Sequence, residues 1–286
     1  TPYGVALSPS GTFALIADYT YDLLRHIDVD TAVVTTLAGA LNSAGTTDGI
    51  GTSARLNAPS AVCLADEGRV AFVTDQGSGR LRRIDVDSAR VSTIAGYTST
   101  TPVDGVGTSA RFYAPAGVAA TADGSTVFVT DYSGHRVRKV VVATRTVTTL
   151  AGSTSAGSTD GIGTNARFYS PYGIAVTPDG ATVYVTENAG DRVRQINVAS
   201  RAVTPLAGAY TVGAFADGIG TSARFNAPFH VAIAGNVLLV ADASNRRIRQ
   251  IDLNTHEVTA VAGTGSAGYA DGVADVATFY TPRGIA

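Results

Sequence analysis

A five-residue phrase that begins with proline recurs six times along this 286-residue chain, and it limits the possible folds more than any other feature. The first copy is Pro2-Tyr3-Gly4-Val5-Ala6, and the later copies begin at Pro59, Pro115, Pro171, Pro228 and Pro282. Successive prolines are 57, 56, 56, 57 and 54 residues apart. A fixed period of this length indicates a fold built from copies of one supersecondary unit.

Each period contains the same order of strand and turn signals, which the fourth repeat illustrates. Apolar and β-branched runs cover residues 173–177 and 182–186, on either side of the turn Pro178-Asp179-Gly180. Two further runs, at 192–198 and 202–206, complete a set of four strands. Four short antiparallel strands per repeat describe one blade of a β-propeller. The sequence therefore predicts an all-β propeller with four-stranded antiparallel blades.

The repeat boundaries predict a single propeller domain over residues 1–286. The five complete repeats cover about residues 1–57, 58–113, 114–169, 170–226 and 227–280, and residues 281–286 supply only the first strand of a sixth. A lone strand leaves backbone groups unpaired, so this strand needs a partner. We therefore favour a six-bladed ring. The alternatives are a five-bladed ring with the last strand displaced, and donation of that strand to another subunit.

A glycine-rich connection of about twenty residues joins each outer strand to the next repeat. Its core reads Asp-Gly-Ile-Gly-Thr-Ser-Ala-Arg-Leu in the first copy, and the five copies lie at residues 48–56, 104–112, 160–168, 217–225 and 271–279. The fifth departs, because Ala274-Asp275 replaces Gly-Thr and Thr278 replaces Arg. Asp-Gly predicts a turn, and Thr-Ser-Ala-Arg-Phe predicts one capped helical turn whose aromatic residue packs on the blade.

The passage from the second to the third strand carries a family resemblance. In the third repeat it reads Val-Thr-Asp-Tyr-Ser-Gly-His-Arg-Val-Arg-Lys-Val, residues 129–140, and the other repeats have counterparts. The first repeat keeps Arg25 but has Leu23 in place of the first arginine. The chain resembles the NHL-repeat family of β-propellers over nearly its whole length. This family includes protein-binding and RNA-binding modules, extracellular modules and a few lyases, so the resemblance implies the fold and leaves the function open.

An acidic residue in the second strand precedes an arginine by seven residues in every repeat. A hairpin brings the two side chains within reach of each other. They could form a ring of charges on a binding face, or a buried carboxylate–guanidinium pair that holds the blades together. Recurrence in every blade favours the structural interpretation. The predicted structural pairs are Asp75 with Arg82, Asp131 with Arg138, Glu187 with Arg194, and Asp242 with Arg249.

The connections supply two further sets of charged residues. Each has a single aspartate, whereas Ca²⁺ needs six to eight oxygen ligands, so these aspartates predict turn capping. The arginines of the connections should lie on one rim, where they could receive an acidic partner or an anionic glycan, or pack against neighbouring loops. This candidate interaction rim consists of Arg55, Arg111, Arg167 and Arg224.

No catalytic, metal or cofactor site is predicted. The lyases of the resembled family hold a metal with several histidines near the central channel, but here only His230 falls in an inner-strand phrase. A zinc site needs three or four converging ligands. The only cysteine, Cys63, lies in the apolar run Ala-Val-Cys-Leu and is expected to be a buried thiol.

The predicted function is a non-catalytic structural or protein-interaction module, extracellular or at the cell surface, in a larger assembly or filament. Its expected partners are proteins, including copies of itself by strand addition or stacking, and glycans. A formal charge of −2 argues against nucleic acid, and no apolar run is long enough to insert into a membrane. One alternative is a lyase-like or lactonase-like enzyme that uses the central channel. Another is a glycan-binding propeller, which predicts exposed aromatic residues such as Tyr113 or Tyr169 beside the arginines.

Overall fold

The computed structural model describes all 286 residues, which form β-strands, single 3-10 turns and loops. The chain divides into two compact units, Thr1–Leu150 and Ala151–Ala286. Every strand pairs antiparallel with its neighbours in a four- or five-stranded sheet, and each sheet is one blade. The predicted all-β propeller is confirmed.

Unit 1 contains the first two blades and the third up to Leu150 in its outer strand. Blade 1 consists of β1 (Pro2–Leu7), β2 (Phe13–Asp18), β3 (Leu23–Asp28) and β4 (Val34–Gly39). Blade 2 consists of β5 (Gly49–Ile50), β6 (Pro59–Ala65), β7 (Val70–Asp75), β8 (Arg80–Asp85) and β9 (Arg90–Ala95). Blade 3 consists of β10 (Gly105–Val106), β11 (Pro115–Ala120), β12 (Thr126–Asp131), β13 (Arg136–Val141) and β14 (Thr146–Gly152).

Unit 2 contains the other two blades. Blade 4 consists of β15 (Gly161–Ile162), β16 (Pro171–Val176), β17 (Thr182–Glu187), β18 (Arg192–Asn197) and β19 (Ala202–Gly208). Blade 5 consists of β20 (Gly218–Ile219), β21 (Pro228–Ala234), β22 (Val237–Asp242), β23 (Arg247–Asp252) and β24 (Glu257–Ala262). In both blades the strand order is the short strand, the outer strand, and then the remaining three in reverse chain order.

The prediction of six four-stranded blades is wrong in the number of blades and in the number of strands per blade. The structure has five blades, and blades 2 to 5 each gain a two-residue fifth strand from the connection that precedes them. A two-residue strand is too short to produce an alternating pattern, so the sequence did not show it. Residues 281–286 form no strand. The first strand of a blade is held by the second strand of the same blade, and the last strand, β24, ends before this segment.

The inner strands of neighbouring blades lie close together within each unit. In unit 1, β6 contacts β1 on one side and β11 on the other, and in unit 2, β16 contacts β21. A Cβ on Gly4 would lie 2.6 Å from the Cα of Ala61, and a Cβ on Gly173 would lie 2.4 Å from the carbonyl oxygen of Phe229. The glycine of the Pro-x-Gly phrase therefore permits a backbone approach that a larger residue would prevent.

The connections dock onto the blades through apolar side chains. Each of the first four copies makes one 3-10 turn, at Gly51–Ser53, Gly107–Ser109, Gly163–Asn165 and Gly220–Ser222. None of these turns has the side-chain cap that the sequence predicted. The predicted anchor is confirmed, because the last residue of each copy is completely buried, namely Leu56, Phe112, Phe168 and Phe225.

Candidate functional site

The arginines of the predicted charge pairs are completely buried, and blade 3 shows their geometry. One guanidinium nitrogen of Arg138, Nη1, donates to the Asp131 carboxylate at 3.1 Å and to the carbonyl oxygen of Arg111 at 3.0 Å. The other, Nη2, donates to the Asp104 carboxylate at 2.7 Å and to the carbonyl oxygen of Val103 at 2.9 Å. Both terminal nitrogens are thus occupied by the protein itself.

The same arrangement recurs in every blade that has a fifth strand. Arg82 lies 2.9 Å from both Asp75 and Asp48, Arg249 lies 3.0 Å from Asp242 and 2.6 Å from Asp217, and Arg194 contacts both Glu187 and Asp160. The structure therefore brings together all four predicted pairs. It also adds to each a second carboxylate, from the aspartate of the connection.

This second carboxylate ties three segments of a blade together. In blade 2, Asp48 accepts hydrogen bonds from Arg82 and from both the backbone N–H (3.0 Å) and the hydroxyl (2.8 Å) of Thr93 in the outer strand. Asp104 and Thr149 repeat the contact in blade 3. Sequence reasoning assigned these aspartates to turn capping. The constant spacing of 34 residues between the aspartate and its arginine in blades 2, 3 and 4 was no separate signal, because any two positions of a regular repeat keep a constant spacing.

Burial sets the protonation of the inner carboxylates. It raises the pKa of Asp75 and of Asp242, and it raises the pKa of Asp131 to about 6, although an arginine opposes the shift in each case. Burial also disfavours the charged form of the connection aspartate Asp104, but hydrogen bonds from Thr149 and the charge of Arg138 outweigh it, so its pKa is lowered. The carboxylates and their arginines bind one another within the protein, as is typical of structural ion pairs.

The four arginines of the candidate interaction rim fall into two groups in the structure. Arg55 and Arg224 fold back onto the 3-10 turns before them and donate to their carbonyl oxygens, at 2.7 Å to Thr52 and to Thr221 respectively. Arg111 in unit 1 and Arg167 in unit 2 have exposed side chains. The side chains of the first pair are half-buried, whereas those of the second pair are exposed.

His230 lies in an aromatic cluster of unit 2. Its ring centroid is 5.7 Å from that of Tyr172, whose ring in turn lies 4.2 Å from Phe229, and Arg283 stacks over Phe229 at 4.6 Å. The imidazole is only 7% exposed, and its Nε2 has no hydrogen-bond partner in the chain. Burial, with a contribution from the charge of Arg283, lowers the pKa of His230 to about 4, so the ring is neutral at pH 7. No group of three or more His, Cys, Asp or Glu side chains is arranged to bind a metal ion.

A surface pocket of about 340 Å³ lies among the loops of unit 1, and we call it the loop pocket. Its lining residues are Gln76, Gly79, Thr98, Ser99, Thr100, Phe112, Tyr113 and Ala114. Tyr97, next to the lining residues, is 55% exposed and its ring lies 5.7 Å from the guanidinium of Arg80. Sequence reasoning did not identify this pocket. The threonine-rich run after Tyr97 lies in a connection of ordinary length, so the repeat itself gave no signal of the pocket.

No protein-family model matches the chain, but curated relatives do. It is 28% identical over 273 residues to Protein SUPPRESSOR OF QUENCHING 1, chloroplastic, of Arabidopsis thaliana, over 90% of this chain and 25% of that protein. It is 24% identical over 290 residues to NHL repeat-containing protein 2 of Bos taurus, over 91% of this chain and 40% of that protein. The chain thus spans between a quarter and two fifths of the length of these relatives. No helix in the structure has the length and apolar character needed to cross a membrane.

Two solved structures share the fold. An auxiliary nutrient binding protein from Bacteroides thetaiotaomicron superposes with a TM-score of 0.73 at 15% identity, over 99% of this chain and 63% of that chain. A chain of a nidogen/laminin complex superposes with a TM-score of 0.62 at 15% identity, over 88% and 76% of the two chains. The repeated strand passage, the blades and the relatives that are themselves named for NHL repeats fit an NHL-repeat β-propeller.

Proposed function

We propose that this propeller is a non-catalytic protein-interaction module and that the loop pocket is the centre of its contact surface. The observation that carries the proposal is an apolar pocket with the exposed Tyr113 in its lining, next to the stacked pair of Tyr97 and Arg80, which adjoin the lining residues in the sequence. Tyrosine and arginine are enriched among the residues that dominate binding energy at protein interfaces.

The pocket suits a single anchoring side chain of a partner. Its volume lies at the lower end of the range of about 300–1,000 Å³ that is usual for ligand sites. Phe112 supplies an apolar wall, and the hydroxyl of Thr100 can orient a backbone amide, whereas the hydroxyl of Thr98 already donates to the carbonyl oxygen of Ser78 at 2.6 Å. Gly79 has φ +62°, and a Cβ there would lie 2.8 Å from the Cα of Thr98, so the loop depends on this glycine. An aromatic or aliphatic side chain in an extended peptide fits this chemistry.

The charged residues support a non-catalytic role. The repeated carboxylates and arginines are buried and bound to one another, which leaves them no free group for acid–base work. The ring of His230 is packed against aromatic neighbours. We further propose an extracellular or cell-surface location within a larger assembly, which the threonine- and serine-rich loops support. One structural neighbour comes from a nidogen/laminin complex, and another is described as an auxiliary nutrient binding protein.

Glycan binding is a second candidate, because Tyr113 is 37% exposed and follows the exposed Arg111 by two residues. An exposed aromatic ring beside an arginine is the arrangement that the glycan alternative predicts. A sugar would stack on the tyrosine, and a carboxylate or sulfate on that sugar would pair with Arg111.

Panning a random 12-residue peptide library against the immobilised protein tests the leading proposal. We expect selected peptides to bind Tyr113→Ala and Tyr97→Ala at least tenfold more weakly, because each substitution removes an aromatic contact. Binding should be unchanged in Tyr21→Ala, which removes an equally exposed tyrosine (45%) from blade 1. Isothermal titration with one selected peptide provides the affinities.

Two results would contradict the peptide proposal. One is a selection that enriches no peptide, and the other is a set of peptides whose affinity does not respond to Tyr113 or Tyr97. A glycan array probed in parallel decides the second candidate, since glycan binding that is lost in both Tyr113→Ala and Arg111→Ala would replace the peptide proposal.

A further inference from the structure

Two arginines of neighbouring blades flank the connection that forms one wall of the loop pocket. Arg80 begins β8 in blade 2, and Arg136 begins β13 in blade 3. The ring of Tyr97 stacks on Arg80 at 5.7 Å, and the carbonyl oxygen of Pro102 accepts a hydrogen bond from Nη1 of Arg136 at 3.4 Å. The pocket-lining residues 98–100 lie between these two contacts in the sequence. This wall of the pocket is therefore held between two cations, and all of these residues belong to unit 1.

Neither arginine forms an ion pair, although each lies opposite an acidic residue. Arg80 is paired across the sheet with Asp75, and Arg136 is paired with Asp131. Both carboxylates instead bind the completely buried arginine of their own blade. Arg80 and Arg136 are only half-buried, so part of each guanidinium is open to solvent. The two cations beside the pocket thus have no carboxylate partner of their own.

Burial makes the missing partner costly at Arg136. Its Nε is buried and has no hydrogen-bond partner, and burial, followed by the charge of Arg138, lowers the pKa of the Arg136 guanidinium. Blade 4 shows how the same position is satisfied, because the equivalent Arg192 donates its Nε to the carboxylate of Glu187. A carboxylate that approached the open part of Arg136 would stabilise its charged form in the same way.

We propose that the partner segment that binds the loop pocket is acidic, with an aromatic or aliphatic anchor in the pocket and carboxylates on both sides that pair with Arg80 and Arg136. This inference rests on the proposed function of the loop pocket and names the chemistry of its partner. None of the lining residues is acidic, so nothing in the lining repels such a segment. The exposed Arg111 precedes the lining residue Phe112 and adds a further cation. Complementary charge of this kind guides association and selects among partners.

The composition of peptides selected from the 12-residue library tests the charge of the partner. We expect Asp and Glu to be enriched about threefold over the unselected library around an aromatic or aliphatic residue, with Lys and Arg depleted. Selection against the protein with Arg80→Glu and Arg136→Glu together should reverse this preference. Arg90→Glu is the matched control, because Arg90 is exposed and lies opposite Asp85, at the other end of β8 from Arg80. This variant should select the same acidic peptides as the wild type.

Isothermal titration with one acidic selected peptide measures the contribution of its charge while the protein stays unchanged. A version of the peptide with Asn and Gln in place of Asp and Glu should bind the wild type about tenfold more weakly. An increase of the NaCl concentration from about 50 mM to about 500 mM should weaken the acidic peptide and leave the amide version nearly unaffected, because salt screens exposed charges. Arg80→Gln and Arg136→Gln should each weaken only the acidic peptide, by about threefold to fivefold.

The possible failures of this inference and of the proposed function can be told apart. Selected peptides that depend on Tyr97 and Tyr113 but contain no excess of acidic residues would overturn the inference and leave the proposed function intact. Equal affinities of the acidic peptide and its amide version for the wild type would have the same meaning. A selection that enriches no peptide would overturn both.

Discussion

Replacing Arg138 with methionine should lower the free energy of unfolding by about 3–5 kcal/mol, because breaking a buried ion pair leaves an uncompensated charge. The substitution removes both ion pairs of this arginine and leaves Asp131, which is completely buried, without its ion-pair partner. It also leaves the carbonyl oxygen of Arg111 without its side-chain donor. Urea denaturation followed by circular dichroism at pH 7.5 measures the effect.

Blade 1 supplies a matched control for this prediction. Arg25→Met removes the arginine from the equivalent strand position, but Arg25 is half-buried and makes no ion pair. Its loss should cost no more than about 1 kcal/mol. Equal losses in the two variants would show that the buried carboxylates do not set the stability of the blade.

The pH dependence of the Arg138→Met variant follows from the carboxyl that remains. Burial already raises the pKa of Asp131 to about 6, and removal of the arginine that opposes this shift raises the pKa further. A carboxyl with a raised pKa in the folded state contributes stability at low pH and loses it as the pH rises through that pKa. The stability deficit of Arg138→Met relative to the wild type should therefore be larger at pH 8 than at pH 5. A deficit that is the same at both values would contradict this origin.

His230→Phe should make the protein more stable than the wild type at acidic pH. The pKa of His230 is about 4 in the folded chain and about 6.5 in an unfolded one, so between these values only the unfolded chain binds the proton. The wild type therefore loses stability as the pH falls from 6.5 to 4, by about 3 kcal/mol at 1.36 kcal/mol per pKa unit. Phenylalanine keeps the contacts with Tyr172 and Phe229 and removes the titration.

Urea denaturation of both proteins at pH 7.5 and pH 4.5 measures this difference. The variant should lie within about 1.5 kcal/mol of the wild type at pH 7.5, as is usual for a swap that conserves volume, and gain about 2–3 kcal/mol relative to it at pH 4.5. His256→Asn, which removes a histidine from a surface turn, controls for the loss of a titratable residue. Parallel pH profiles for wild type and His230→Phe would show that this histidine is not buried in its neutral form.

The repeat and the strand passage were sufficient to predict the propeller and the partners of its buried arginines. Asp75 with Arg82 follows from a constant spacing of seven residues across one hairpin, which is a local relation. The second carboxylate, Asp48, lies 34 residues before Arg82 and was assigned to a turn. A local pattern contains no information on which strand a distant loop will meet, so the fifth strand and its aspartate escaped prediction for the same reason.

The repeat period of the sequence by itself determined the blade, the antiparallel order of its four long strands and the apolar anchor of each connection. These follow from chain-local chemistry, namely turn residues, alternation and seven-residue spacing. Only the tertiary structure decided the number of blades, the fifth strand and the positions of the open surfaces. The physical reason is that a two-residue strand and a surface pocket form only through contacts between residues that are distant in the sequence. Val91, for example, is covered because Gly49, which is distant from it in the sequence, lies opposite it in the sheet.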